Sequence, residues 1–312
     1  MTESVRYIKG EKNLWRPSLP GRVFVQLLVL LPVPLLAVLG RGLGSLFYRF
    51  DRKRRHYADV NLRLCFPQMT EQEHRKLLHR HFKTLGQSLL CTLGINWTRP
   101  RLRIARYVTV EGAENLVAHD DKNVIVMAPH FIGLEMAFAW LSMTRLMIGM
   151  YREPRKNILH WAIDLRRDQF GCIGVEAQAQ LKTLIRLIRE GKPFFYLPDL
   201  DPGSAGRYEF APFFGVQAAT WTALGRIAAM TNAVVIPCFV TQHRNGRYTI
   251  RFDRALTDFP SGDNTLDAAR MNRLIEEEVR NRPEQYFWIH RRFKTRPPGE
   301  AGFYGRKRTG YK

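Results

Sequence analysis

The chain runs to 312 residues, 45% of them hydrophobic, which is enough to bury one large core or two small ones. Forty-nine Lys and Arg against 28 Asp and Glu leave a net charge of +21, so the partners to look for are polyanions: nucleic acid, anionic lipid headgroups, a phosphorylated glycolipid or an acidic carrier protein. Four scattered cysteines, Cys65, Cys91, Cys172 and Cys238, fit neither metal-ligand spacing nor a disulfide framework, and no His-Glu-x-x-His, P-loop or Gly-rich dinucleotide fingerprint occurs; buried free thiols are expected, and neither a metal nor an organic cofactor.

Residues 1–22 form a short N-terminal segment, and residues 23–48 are expected to anchor the chain to a membrane. Positions 23 to 40 carry no charge between Arg22 and Arg41, a length near the lower limit for crossing the hydrocarbon core. Pro32 and Pro34 kink or break a helix here, which leaves two readings: a kinked single span, or a hairpin-like segment dipping into one leaflet. A signal peptide is disfavoured because the run starts late and lacks a small-residue cleavage pattern. Arg49, Arg52, Lys53, Arg54 and Arg55 follow, placing this side toward the cytoplasm and toward anionic lipid, at about 1 kcal/mol per basic residue near the surface. Gly40-Arg-Gly-Leu-Gly44 is glycine-rich but lacks a strand-turn-helix context and receives no role.

From Asp59 the pattern becomes that of a soluble domain, and residues 49–312 are taken as one α/β unit with a basic tail. Thr70-Glu-Gln-Glu73 is a capping box, and Leu77, Leu78, Phe82, Leu85, Leu89 and Leu90 recur at helical spacing, predicting an amphipathic helix over 71–93. Beyond Pro100, strands are predicted at 106–110, 123–128, 147–151, 193–198, 234–241 and 247–252. Helices are predicted at 133–146, 156–168, 178–190, 217–231 and 266–281. This alternation argues for an α/β fold with a mixed central sheet flanked by helices.

The run Ala128-Pro-His-Phe-Ile-Gly-Leu-Glu135 falls between the apolar segment 123–127 and the helix that follows. A histidine and a carboxylate here suit general-base chemistry, the imidazole taking a proton from a hydroxyl while the carboxylate orients it. Within one helix a separation of five residues turns the second side chain about 140° from the first. His130 is therefore placed in the loop, with Gly133 letting the chain turn so that Glu135 faces back. Amides from Ile132 to Glu135 are candidate donors to a developing oxyanion. Asp199 and Asp201 follow another strand and, like His130, sit beyond its carboxyl end, where such sheets place reactive groups. The chain has no Gly-x-Ser-x-Gly elbow and no cysteine beside His130, which favours direct transfer in a ternary complex over an acyl-enzyme. Arg152, Arg155 and Lys156 are candidates to hold phosphates or carboxylates. From His290 to Lys312 the only acid among many Lys and Arg is Glu300, with Phe293, Phe303, Tyr304 and Tyr311 interleaved: a nucleic-acid strip, an interfacial anchor or a phosphate clamp.

Several blocks together resemble the late acyltransferases of lipid A biosynthesis, closest to their lauroyltransferase branch. They are Asn61-Leu-Arg-Leu-Cys-Phe-Pro67, the His-x4-Glu run at His130, Tyr151-Arg152, Tyr196-Leu-Pro-Asp-Leu-Asp-Pro-Gly203, Phe210-Ala-Pro-Phe-Phe-Gly215, and the long Pro283–Pro297 block containing Tyr-Phe-Trp-Ile-His-Arg-Arg-Phe-Lys-Thr-Arg. The resemblance covers about residues 15 to 305. It implies a glycerolipid-acyltransferase-like fold and transfer of an acyl chain from acyl carrier protein to a 3-hydroxyacyl hydroxyl of a Kdo-bearing lipid A precursor. It implies His130 as base, Glu135 as its partner, and Arg167 and Asp199 as supporting residues, with Arg166 competing for the arginine's place. Arg291, Arg292 and Lys294 fall in the most specific block and are expected to contact a polyanion, glycolipid or carrier protein. The inner membrane, with the active domain facing the cytoplasm, is the expected location. An acyltransferase acting on another membrane glycolipid or a lysophospholipid is the runner-up. A nucleic-acid-binding protein rests on charge alone and leaves the apolar segment and the His/Glu junction unexplained, so no nucleic-acid partner is expected.

Overall fold

The computed structural model describes residues 18–28, 30–97, 100–151, 172–176, 181–203 and 206–305. The uncharged N-terminal run is divided between two helices, α1 (Leu19–Leu28) and α2 (Val33–Phe50), with Pro32 as the N-cap of the second and Pro34 in its first turn. Proline tolerates those positions, where no intrahelical partner for its missing amide is needed, and nowhere further in. Among the described residues no helix is long and apolar enough to cross a membrane, so the kinked single span gives way to two shorter helices.

Helix α2 buries Val33, Leu36, Ala37, Gly40 and Gly44, a stripe at helical spacing, against the long helix α4 (Glu71–Trp97). Glycines make the crossing close. A Cβ on Gly44 would stand 2.1 Å from the Phe82 carbonyl oxygen, and one on Gly86 would stand 2.3 Å from that of Gly40. The glycine-rich run that lacked a role in the sequence is thus a backbone-to-backbone packing site. The predicted capping box starts α4: the Thr70 amide donates to Glu73 at 2.7 Å and the Glu73 amide to Thr70 at 3.3 Å. Between α2 and α4 lies α3 (Arg52–Cys65), capped by Asp51, and α5 (Pro100–Tyr107) follows α4. Neither α3 nor α5 is predicted from periodicity, since the first is dominated by basic residues and the second is two turns long.

The sheet is mixed, as expected. Its strands are β1 (Val108–Glu111), β2 (Asn123–Met127), β3 (Ile148–Tyr151), β4 (Ile173–Glu176), β5 (Phe194–Tyr196), β8 (Ala233–Gln242) and β9 (Tyr248–Phe252), in the order β1-β9-β8-β2-β5-β3-β4. Only β8 and β9 run antiparallel; the other neighbours are parallel. A short helix, α6 (Glu114–Val117), precedes β2. Central β2 is apolar and buried from Val124 to Met127 because both its faces are covered. Val124 and Val126 pack with α7 (Leu134–Thr144), α2 and the end of α4. Ile125 and Met127 pack with α8 (Leu181–Arg189), α9 (Ala223–Thr231) and α10 (Asn264–Asn281). All four cysteines are buried free thiols.

Two expectations change. Residues 217–231 are not one helix: β6 (Tyr208–Phe213) and β7 (Val216–Trp221) form an antiparallel hairpin, and the helix begins only at Ala223. The run Ala218-Ala-Thr-Trp221 pairs with the preceding strand, a partner that helical periodicity does not reveal. Strand β4 is new; its run Ile173-Gly-Val-Glu176 is not among the predicted strands. The helix predicted at 156–168 lies outside the described residues.

Candidate active site

His130 and Asp199 meet because of strand register. Strands β2 and β5 are parallel neighbours with Met127 paired to Tyr196, and the pairing continues when the Ala128 amide donates to the Tyr196 carbonyl at 2.9 Å. Three residues beyond each paired position stand His130 and Asp199, after the matching runs Ala128-Pro-His130 and Leu197-Pro-Asp199. The two side chains therefore emerge side by side at the carboxyl edge of the sheet, where a crevice collects reactive groups.

The Asp199 carboxylate is fully buried. It accepts the His130 backbone amide at 3.0 and 3.1 Å and His130 Nδ1 at 2.7 Å. Burial alone opposes its ionisation, but the adjoining His130 imidazole, by charge and hydrogen bond, with His290 behind it, holds the carboxyl well below the usual range. An ionised carboxylate only accepts, so Nδ1 carries the proton, and in the neutral ring the Nε2 lone pair is the one left to act as a base. The ring is 13% exposed, and Nε2 has no hydrogen bond among the described residues. A neutral imidazole fixed in this tautomer, backed by a buried anion, can take a proton from a hydroxyl and release it to a leaving group.

The carboxylate seen hydrogen-bonded to His130 Nδ1 is that of Asp199, while chain spacing gave the orienting role to Glu135. Glu135 stands in the first turn of α7, partly exposed. Gly133 makes the predicted turn, with φ +99°; a Cβ there would lie 2.9 Å from Tyr248. Two of the amides proposed as oxyanion donors are engaged within the protein, Ile132 with the Gln285 carbonyl at 2.7 Å and Leu134 with that of Phe131 at 3.1 Å.

The Pro283–Pro297 block braces this loop from below. Phe131 bridges to Tyr286, the Phe287 amide donates to the His130 carbonyl at 2.9 Å, and Gln285 and Gln242 exchange hydrogen bonds at 2.8 and 2.9 Å. Asn61, fully buried on α3, donates to the carbonyls of Trp288 and His290, both at 2.7 Å, and accepts from the Tyr304 hydroxyl. Asp201 is spent on Gly203 and on the Thr295 amide and hydroxyl.

The three basic residues of that block separate. Arg292 is no surface contact: it is fully buried, donates to the Ala219 carbonyl, Thr220 Oγ1 and Asn272 Oδ1 at 2.8 to 3.1 Å, and lies over the Phe213 ring. Its planar fork joins the hairpin to α10, which is a structural job. Arg291 is exposed and stacks over Tyr57 at 5.4 Å, and Lys294 is exposed beside Gly203, in the loop beyond Asp199. Arg152, Arg155, Lys156, Arg166 and Arg167 lie outside the described residues. The sequence assigns no role to His290 or Phe287, which stand against His130 in space but far from it in the chain, nor to Tyr286, which packs on Phe131 and His290. The matched strand-x-Pro-residue runs were the available signal for pairing His130 with Asp199.

Fold and site together describe an α/β protein with an imidazole–carboxylate pair at the carboxyl edge of its sheet. The chain belongs to the bacterial lipid A biosynthesis acyltransferases, whose family model matches residues 18–295. It is 35% identical to the lipid A biosynthesis lauroyltransferase of Escherichia coli, over 89% of this chain and 91% of that protein. It is 32% identical to the palmitoleoyltransferase of the same organism (88% and 90% covered) and 31% identical to its myristoyltransferase (88% and 84%). Among solved structures, the 1-acyl-sn-glycerophosphate acyltransferase of Thermotoga maritima aligns with 85% of this chain and 99% of its own, at 19% identity and a TM-score of 0.36.

Proposed function

We propose that the protein transfers a fatty acyl chain, laurate, from acyl carrier protein to the hydroxyl of a 3-hydroxyacyl group on Kdo-bearing lipid A precursor. The observation that carries the chemistry is the His130–Asp199 pair, an imidazole whose Nδ1 is held by a buried carboxylate. His130 Nε2 removes the hydroxyl proton as the oxygen attacks the thioester carbonyl. The C–O bond forms, the C–S bond breaks, and the proton passes from His130 to the departing thiolate. No acyl-enzyme is required. Laurate is supported by the higher identity to the lauroyltransferase than to the palmitoleoyl and myristoyl enzymes. By family resemblance Glu135 acts beside His130, Arg167 or its neighbour Arg166 supports the transition state, and Arg152 holds an anionic group of the precursor. Arg291 and Lys294 are assigned to the polyanionic substrate or the carrier, since both are exposed at the edge of the block that braces the site.

The same reading places the protein on the inner membrane, active domain toward the cytoplasm, as a monotopic protein. Leu19, Val23, Leu27, Leu35, Val38, Leu39, Leu46, Phe47 and Phe50 are exposed along α1 and α2, and Leu30 in the turn between them, while the buried stripe of α2 packs on α4. Exposed Arg49, Arg52, Lys53 and Arg54 follow directly. An apolar helical face beside cations fits the interface of an anionic bilayer.

The test is transfer from carrier-protein thioesters of graded chain length to Kdo-bearing tetraacylated precursor, comparing wild type with His130→Ala. A pentaacylated product from wild type alone supports the reading, and the best donor fixes the chain length. Product from neither, with every donor, defeats the choice of acceptor; equal product from both defeats His130 as the base.

A further inference from the structure

A second imidazole stands at the site. His290 Nδ1 lies 2.5 Å from the Phe287 carbonyl oxygen, which only accepts, so Nδ1 is the protonated nitrogen. Its Nε2 is buried without a hydrogen-bond partner. Phe287 is held at both ends of its backbone, its carbonyl by His290 and its amide by the His130 carbonyl at 2.9 Å. The three rings close a triangle: His290 stacks on Phe287 at 6.2 Å and 17°, Phe287 stands 6.3 Å from His130, and the imidazoles are 6.4 Å apart. Asn61 then fixes the His290 backbone through its carbonyl.

We propose that His290 is a positioning residue for the His130–Asp199 pair: its Nδ1–H locks the Phe287 carbonyl and its ring stacks on Phe287, holding that residue against the His130 loop. Burial lowers its basicity to about 4, Asp199 acting in the opposite direction and His130 and Arg292 in the same one. The other titratable group packed here, Tyr286, is held protonated by burial and by Asp199. Near neutral pH His290 therefore adds no charge beside Asp199.

This inference rests on the function proposed above, and its test separates the two. His290→Ala and His290→Asn are compared with wild type in the transfer assay across pH, with ¹⁵N spectra of the histidine rings as a readout that needs no turnover. Asparagine can donate to the Phe287 carbonyl; alanine cannot. The expected result is a fall in kcat of about 10- to 100-fold for His290→Ala with KM nearly unchanged, as a small misplacement of the base produces. His290→Asn should recover most of the loss, and both variants should keep the wild-type acid limb. The spectra should show two histidines in the neutral Nδ1–H form from pH 5.5 to 8, His81 and His290, of which one signal is lost in both variants. An unchanged kcat in His290→Ala, an asparagine variant no better than alanine, or an acid limb that loses an ionisation overturns the proposal. If His290→Ala does not fold, the asparagine variant and the spectra decide it alone. A wild-type enzyme inactive with every donor defeats the functional reading and leaves the ring tautomer to be judged by the spectra.

Discussion

Replacing Asp199 by asparagine preserves the size of the side chain but removes the anion that fixes the His130 tautomer. An amide can present its NH2 group to Nδ1, moving the proton to Nε2 and leaving no base toward substrate. Asp199→Asn should therefore lower kcat by about 10³- to 10⁴-fold with little change in acceptor KM, measured in the transfer assay. A drop of less than tenfold would mean that another group orients His130. His81 makes a separate prediction about stability. It is fully buried, Nδ1 meets the Glu284 carbonyl at 3.1 Å, Nε2 has no partner, and burial pushes it from 6.5 down to about 4. As pH falls from about 6.5 toward 4 the unfolded chain binds this proton and the folded chain does not, so stability is lost in that window and levels off below it. The loss amounts to about 3 kcal/mol. Thermal melts of wild type and His81→Gln across this range should show a shallower pH slope for the variant; equal slopes would place the acid sensitivity elsewhere.

At the scale of elements, the α2–α4 crossing tests whether glycine is chosen for packing. Gly44 and Gly42 lie in the same helix, two residues apart, in opposite surroundings. A Cβ at Gly44 meets backbone at 2.1 Å, while one at Gly42 meets nothing within 4 Å. Gly44→Ala should destabilise by about 1–3 kcal/mol by forcing the helices apart. Gly42→Ala should stabilise by up to about 1 kcal/mol through helix propensity. Denaturant unfolding of both variants checks this, and a Gly44→Ala protein as stable as wild type would show that the crossing tolerates separation. Small residues four apart are a known device for close helix approach. Without the partner helix, the run reads only as glycine-rich.

For the whole molecule, charge and exposed apolar surface point the same way. Serine replacements at Leu35, Val38, Leu39 and Leu46 alter only the exposed face of α2 and leave its buried stripe intact. Such a protein should lose most of its co-flotation with vesicles of anionic phospholipid while keeping its folded far-UV spectrum. Charge reversal at Arg49, Arg52, Lys53 and Arg54 should weaken flotation at low salt and much less at high salt, because screening has already removed that attraction. Undiminished flotation of the serine variant would mean that another surface holds the membrane.

The sequence by itself determined much of this protein. The alternation of strand and helix, the apolar run of β2, the capping box of α4, the break at Pro32 and Pro34, and the place of His130 beyond a strand were all legible, because each is set by residues near one another in the chain. Only the tertiary structure decided which carboxylate serves His130, since Asp199 reaches it through the register of two strands 69 residues apart. The same holds for Arg292, whose charge argued for a surface contact and whose partners, Ala219, Thr220 and Asn272, bury it. It holds too for Asn61, which ties α3 to the block beneath the site. Local patterning records helix, strand and cap, because those depend on neighbours along the chain. It does not record hydrogen bonds between distant segments, because their energy comes from a desolvated partner that only folding brings within reach.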